Sequence, residues 1–156
     1  GHSVYVVPAF DRIMANGPLP SSKEELRNSV KTGVIMPAAA MKFFGAHSPT
    51  KYSQWFKTNS TYTVEYQDGY EPYFVAKRSL LPPFSPLFEG YGSDKSSMAW
   101  MLARRKYTFA VLPRPFIFHR AHAEGGWVST YNWTRVMLDT RYFELSTEHR
   151  LCLERV

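Results

Sequence analysis

Three short stretches of this 156-residue sequence bring carboxylates, an ammonium and imidazoles to points where the backbone turns. In Asp68-Gly69-Tyr70-Glu71-Pro72, a turn and a proline hold two acids beside a strand-like run. A carboxylate held in this way can project into a cleft and take a proton from a hydroxyl as general base. The same residues also fit a plain turn aspartate followed by a salt-bridged glutamate. In Phe88-Glu89-Gly90-Tyr91-Gly92-Ser93-Asp94-Lys95, glycines flank an aromatic and open a helix. The positive end of a helix dipole suits an anion or a hydroxyl-rich ligand, although the pattern equally describes a capped helix after a tight turn. In Phe116-Ile117-Phe118-His119-Arg120-Ala121-His122, two histidines follow an apolar run. Such a pair can ligate a metal once further ligands join it.

The elements that must position these residues alternate between strand and helix, so the fold class is α/β. Val4–Val7 is a short β-rich run that Pro8 ends. Ser21-Ser22-Lys23-Glu24-Glu25 starts a helix, because either serine can cap it with a glutamate three residues on. Leu26 and Val30 share one face of that helix, and Gly33 stops it. Thr50 is expected to cap a helical turn over Lys51–Phe56. Thr61–Tyr66 and Tyr73–Ala76 read as strands around the Gln67-Asp68-Gly69 turn. Ser93 or Asp94 caps the clearest helix, running to Arg105 with Met98, Met101 and Leu102 as its stripe. Tyr107–Leu112 and Phe116–Phe118 are strand candidates separated by Pro113-Arg114-Pro115, and a further helix is expected around Trp133–Glu144.

Composition narrows the function classes. With 44% hydrophobic and 21% charged residues, the chain has the balance of a globular domain able to bury a core. The aromatic share is 16%, enough to fill a core and also to offer flat faces to sugars or bases. A net charge of +6 admits phosphate-rich partners. The basic residues are scattered, however, and no RRM, KH or OB signature accompanies them, so a nucleic-acid partner is not expected. The one cysteine, Cys152, precludes an internal disulfide and is expected to be buried or half-buried. No stretch approaches the ~20 apolar residues that cross a bilayer, and none resembles a signal peptide. Two sequons, Asn59-Ser60-Thr61 and Asn132-Trp133-Thr134, use two of only four asparagines and point weakly to the secretory pathway. No HExxH, CxxC, Walker or GxSxG pattern is present, which argues against common proteases, zinc modules, NTPases and α/β-hydrolases.

Six segments together resemble one family in order and spacing. They are Val6–Phe10, Leu19–Leu26, Pro49–Trp55, Tyr70–Val75, Phe88–Lys95 and Phe109–His119. The series is similar to the catalytic domain of glycosyltransferase family 49, which includes the LARGE-type xylosyl- and glucuronyltransferases. His149–Leu153 looks like the start of that domain's C-terminal helix. The resemblance implies a partial GT-A fold with a mixed sheet flanked by helices, and an inverting mechanism. It also implies a UDP-sugar donor, a glycan acceptor, a Golgi lumenal setting reached through an anchor outside this chain, and a divalent cation, usually Mn²⁺.

In that frame His119 stands at the family's metal-binding histidine, with His122 beside it in a supporting role. Glu71 is the first candidate for the base that deprotonates the acceptor, and Asp94 the second. Lys95 follows Asp94 where related enzymes carry a second acid, and relatives often have Asn at the Asp94 position. Asp68 and Lys95 join the substrate-binding set, while Trp55, Tyr70 and Tyr91 are candidate sugar-stacking rings. The family's Asp-x-Asp motif is not in this sequence, so residues 1–156 are expected to form the C-terminal, acceptor-side part of the domain without its nucleotide-binding half. The competing reading is a non-catalytic carbohydrate-binding or interaction domain derived from that fold.

Overall fold

The computed structural model describes residues 1–13, 17–89, 92–119 and 131–154. Two chain segments run side by side through the molecule, and each is bent by proline. The first carries β1 (Ser3–Val6) and β2 (Ala9–Arg12), and the second carries β6 (Thr108–Val111) and β7 (Ile117–His119). β1 pairs parallel with β6, and β2 pairs parallel with β7. Between them, Pro8 cannot donate a ladder bond, but its carbonyl accepts from the Ile117 amide at 3.0 Å. β1 thus ends at Val6, ahead of Pro8 as the sequence predicts, and β2 begins after the proline bend, at Ala9.

This bend divides the strands into two sheets. One has the order β4-β6-β1-β5, with β4 (Tyr62–Val64) and β5 (Phe74–Val75) antiparallel at its edges. The other has the order β3-β2-β7, with β3 (Ile35–Pro37) antiparallel to β2. The result is the α/β arrangement of mixed sheets with flanking helices that the sequence predicts.

Helix α1 (Lys23–Lys31) forms where local signals place it. Ser22 Oγ accepts from the Glu25 amide at 3.2 Å, and the Glu25 carboxylate reaches back to the amide and hydroxyl of Ser21. Those bonds hold the Glu25 carboxyl below its usual range. Gly33, at φ +73°, follows the C-terminus. Helix α2 (Tyr52–Lys57) differs from expectation at its start. Lys51, in the left-handed region at φ 57°, occupies the cap position, and Thr50 is drawn into the core instead. There Thr50 Oγ1 shares a 2.9 Å hydrogen bond with the Tyr70 hydroxyl.

Helix α3 (Asp94–Arg104) buries Met98, Met101 and Leu102 as the periodicity predicts, together with Ala99 and Trp100. Its cap position is Ser93, whose left-handed backbone turns the side chain away from capping. Helix α4 (Trp133–Leu153) is longer than predicted, so His149–Leu153 is its end and not the start of another helix. It packs on α3 through Phe143, which meets Trp100 edge-on at 6.1 Å, and through an Arg104–Glu148 ion pair at 2.9 Å. Cys152 lies exposed on its last turn, contrary to the expectation of burial. No helix among the described residues is long and apolar enough to cross a membrane.

The core lies where Phe10, Trp55, Leu26, Leu102 and Val111 meet. The Trp55 indole donates to the Leu112 carbonyl at 2.8 Å. The Lys23 ammonium sits 4.3 Å from the indole centroid and donates to the carbonyls of Thr58 and Pro113. One lysine thus ties the start of α1 to the end of α2 and to the proline loop after β6. Burial lowers its pKa, with nearby Arg27 adding to the effect.

Candidate functional site

β2 and β7 bring two polar side chains into register at their C-terminal ends, Asp11 opposite His119. The Asp11 Oδ1 lies 3.3 Å from the His119 Nδ1, and the Asp11 Oδ2 accepts from the Ala39 amide at 2.7 Å. In α/β sheets the C-terminal ends of parallel strands are where ligands commonly bind.

A second pair stands nearby. The Lys95 ammonium, in the first turn of α3, is 3.5 Å from the Glu71 Oε2. It also lies 5.5 Å from the centroid of the Tyr73 ring. Glu71 is held from behind by its own amide, which donates to the Ala46 carbonyl at 2.7 Å, while buried Pro72 follows it. Burial pulls the Lys95 pKa down, but Glu71, Tyr73 and Asp94 more than offset this, so the net shift is upward and Lys95 stays charged.

His47 connects the two pairs. Its ring stacks on Tyr73 with centroids 5.8 Å apart and planes only 5° from parallel. Burial, with the positive field of Lys95 adding to it, lowers its pKa to about 4; Asp11 opposes the shift and His119 adds to it. His47 is therefore neutral at physiological pH, and its ring feels both Asp11–His119 and Glu71–Lys95. Together these residues place two acids, a cation and two imidazoles around one corner of the fold.

The sequence-predicted residues divide clearly against this geometry. Glu71, Lys95 and His119 lie in the cluster, and Asp94 sits beside Lys95, close enough to raise its pKa. Asp68 is an exposed turn residue that accepts from the Tyr66 hydroxyl at 3.4 Å. Trp55 and Tyr70 are corrected: both are fully buried, with no ring face for a sugar. Trp55 fills the core against Phe10, Phe56 and Phe116, and Tyr70 packs on Phe109. Burial pushes the Tyr70 hydroxyl up to about 12 despite its bond to Thr50. Tyr91 and His122 lie outside the described residues.

Asp11, His47 and Tyr73 were not singled out from the sequence. The usable signal for Asp11 was an acid ending a short apolar run after Pro8, much as His119 ends the run Phe116–Phe118 after Pro115. Phe43 and Phe44, in the segment that leads to His47, carry exposed rings. Phe43 lies against the Gly69 turn, where an added Cβ would come within 3.2 Å of the ring. The sequon asparagines also differ: Asn59 is on an exposed loop, whereas Asn132 caps α4 by accepting from the Arg135 amide at 3.0 Å.

A divalent cation needs a converging set of oxygen and imidazole donors. Asp11 and His119 form the carboxylate–histidine arrangement found behind metal-ligating imidazoles. Among the described residues, no group of three His, Cys, Asp or Glu side chains could hold a metal. The described part therefore fits one contributed ligand and its support, not a complete cage.

A polar cluster at strand ends in an α/β framework, with a paired carboxylate and a supported imidazole, is the equipment of a group-transfer enzyme. Residues 1–131 match the family model described as a glycosyl-transferase for dystroglycan, and the chain belongs to that family, glycosyltransferase family 49. It is 34% identical over 125 residues to the glycosyltransferase-like protein gnt14 of Dictyostelium discoideum, covering 80% of this chain and 20% of that protein. It is 32% identical over 149 residues to the xylosyl- and glucuronyltransferase LARGE2 of Mus musculus, covering 96% of this chain and 20% of the relative. With human LARGE1 it shares 28% identity over 149 residues, 96% of this chain and 18% of the relative. The chain spans about a fifth of the length of these relatives.

Proposed function

We infer that this chain forms the acceptor-side part of a metal-dependent, inverting glycosyltransferase. It acts with a UDP-sugar donor and a glycan acceptor in protein glycosylation, on the lumenal side of the Golgi. The observation that carries this reading is the convergence of Glu71–Lys95 and Asp11–His119 on His47, in a chain of glycosyltransferase family 49. The proposed donor group is glucuronyl, xylosyl or N-acetylglucosaminyl; two of the relatives are named xylosyl- and glucuronyltransferases, which supports the first two.

Glu71 is the base. It takes the proton of the acceptor hydroxyl as that oxygen attacks the anomeric carbon from the face opposite the leaving nucleotide, which inverts the centre. Lys95 holds the Glu71 carboxylate in place and keeps a positive charge beside it. Neutral His47 and the stacked Tyr73 form the wall between base and imidazole without adding a second cation. Asp94, in the first turn of α3, is the alternative base and supports the Lys95 charge. Exposed Phe43, beside the Gly69 turn, and exposed Phe44 supply the aromatic surface that buried Trp55 and Tyr70 cannot. His119 is the protein ligand that this chain offers to Mn²⁺, with His122 in the same stretch as support. When bound, the cation neutralises charge on the leaving diphosphate.

The test is transfer from UDP-xylose, UDP-glucuronate and UDP-N-acetylglucosamine to glycan acceptors by a full-length protein containing this chain, with and without Mn²⁺. Metal-dependent transfer supports the proposal. Glycan binding that needs neither metal nor nucleotide, with no transfer, supports a carbohydrate-binding domain in its place.

A further inference from the structure

We propose that Asp11 is a positioning residue that fixes the orientation and tautomer of His119. This deepens the proposed function, since it rests on His119 facing the cation and the donor diphosphate. Asp11 and His119 are Cα partners across the parallel β2–β7 ladder, so the backbone alone sets the two side chains side by side. The carboxylate is anchored on its far side, because its Oδ2 accepts from the Ala39 amide at 2.7 Å. Ala39 is itself held in the left-handed region at φ 56°, in the turn that follows β3. A carboxylate pinned by a backbone amide has little freedom to rotate. Its other oxygen, Oδ1, then stands 3.3 Å from the His119 Nδ1.

An anionic acceptor at Nδ1 selects the imidazole that carries its proton there. The second nitrogen, Nε2, then keeps its lone pair, which is the form that ligates a metal. A carboxylate behind the ring also raises ligand basicity, and loss of such a partner characteristically weakens metal binding by about 10- to 100-fold. Asp11 does not touch the reacting atoms in this account. The strand β2 therefore has a functional purpose beyond pairing: it delivers the acid that aims β7's histidine.

The experiment uses the full-length protein containing this chain, with ¹⁵N-labelled histidine, and Mn²⁺ alone as the binding probe. Long-range ¹H–¹⁵N correlation spectra of the metal-free protein are expected to show His119 with its proton on Nδ1. In Asp11→Asn the tautomer preference is expected to weaken, and Mn²⁺ affinity, read by calorimetry, is expected to fall about 10- to 100-fold. Asp11→Glu, which keeps the charge, is expected to recover part of that loss. A proton on Nε2 in the unmodified protein overturns the proposal without any variant, as does unchanged Mn²⁺ affinity in a folded Asp11→Asn protein. His119→Ala separates the two readings. If it abolishes Mn²⁺ binding while Asp11→Asn leaves it intact, the positioning role fails and the proposed function stands. If His119→Ala leaves Mn²⁺ binding intact, the metal-ligand assignment fails, and the spectra still decide what Asp11 does to the ring.

Discussion

Lys95 reaches from the first turn of α3 to within 3.5 Å of the Glu71 carboxylate, which sits just after the turn that begins at Asp68. Both side chains are partly exposed, so the pair contributes little to stability, at most about 1 kcal/mol. In the proposed function its value lies in placing the base. Glu71→Gln is expected to lower kcat by about 10²- to 10⁴-fold in the full-length protein while unfolding temperature is unchanged. Turnover near that of the unmodified protein would remove Glu71 as base and leave Asp94 as the candidate.

Trp55 was expected at a sugar and is instead a core residue, bonded to the Leu112 carbonyl and covered by Lys23. Trp55→Ala is therefore expected to cost about 3–5 kcal/mol of stability, and Trp55→Phe about 1 kcal/mol through the lost indole bond. Urea unfolding measures both. A Trp55→Ala protein of unchanged stability with a raised acceptor KM would restore the sugar-stacking role.

Gly92 must be glycine for two reasons. Its φ of +111° disfavours a side chain, and an added Cβ would lie 2.9 Å from the Tyr131 Oη and 3.2 Å from the Val136 Cγ1. Gly92→Ala is expected to destabilise by at least ~1–2 kcal/mol and to displace the start of α3, raising the acceptor KM through Lys95. Thermal unfolding and steady-state kinetics check this; an unchanged melting temperature would contradict it.

His47 makes the fold acid-sensitive in a defined window. Its pKa falls from the ordinary 6.5 to about 4 in the folded chain, mainly through burial. Below pH 6.5 the unfolded chain takes up a proton that folded His47 refuses, so stability declines with falling pH until about pH 4, where the difference saturates. The full effect is about 3 kcal/mol. His47→Gln is expected to flatten this part of the profile, as read by urea unfolding between pH 7 and pH 4. An identical slope in both proteins would place the titration elsewhere.

Much of the helix structure was legible because its causes are local. Ser22, Glu25 and Gly33 lie within one short stretch and mark α1, and the spacing of Met98, Met101 and Leu102 marks the buried face of α3. The strands were harder. Pro8 marked the end of β1, but nothing local showed that a second strand, β2, begins at Ala9, where the chain pairs with β7, distant in sequence. β3 is three residues long and owes its pairing to β2. The site divides in the same way. Glu71, Lys95 and His119 were visible as motif residues, but their partners Asp11 and His47 reach them only through the β2–β7 register and the packing on Tyr73. The aromatics misled for a related reason, since Trp55 and Tyr70 look alike in sequence whether they face a ligand or a core.

In the proposed function this chain supplies a metal-supported acceptor site for sugar transfer, and that role turns on His119. The direct measurement is Mn²⁺-dependent transfer from UDP-sugars by the full-length protein, compared between the unmodified chain and His119→Ala. The account predicts robust metal-dependent transfer that the substitution abolishes while the protein stays folded. Unmodified rates in His119→Ala, or no transfer from any UDP-sugar with Mn²⁺ present, would contradict it.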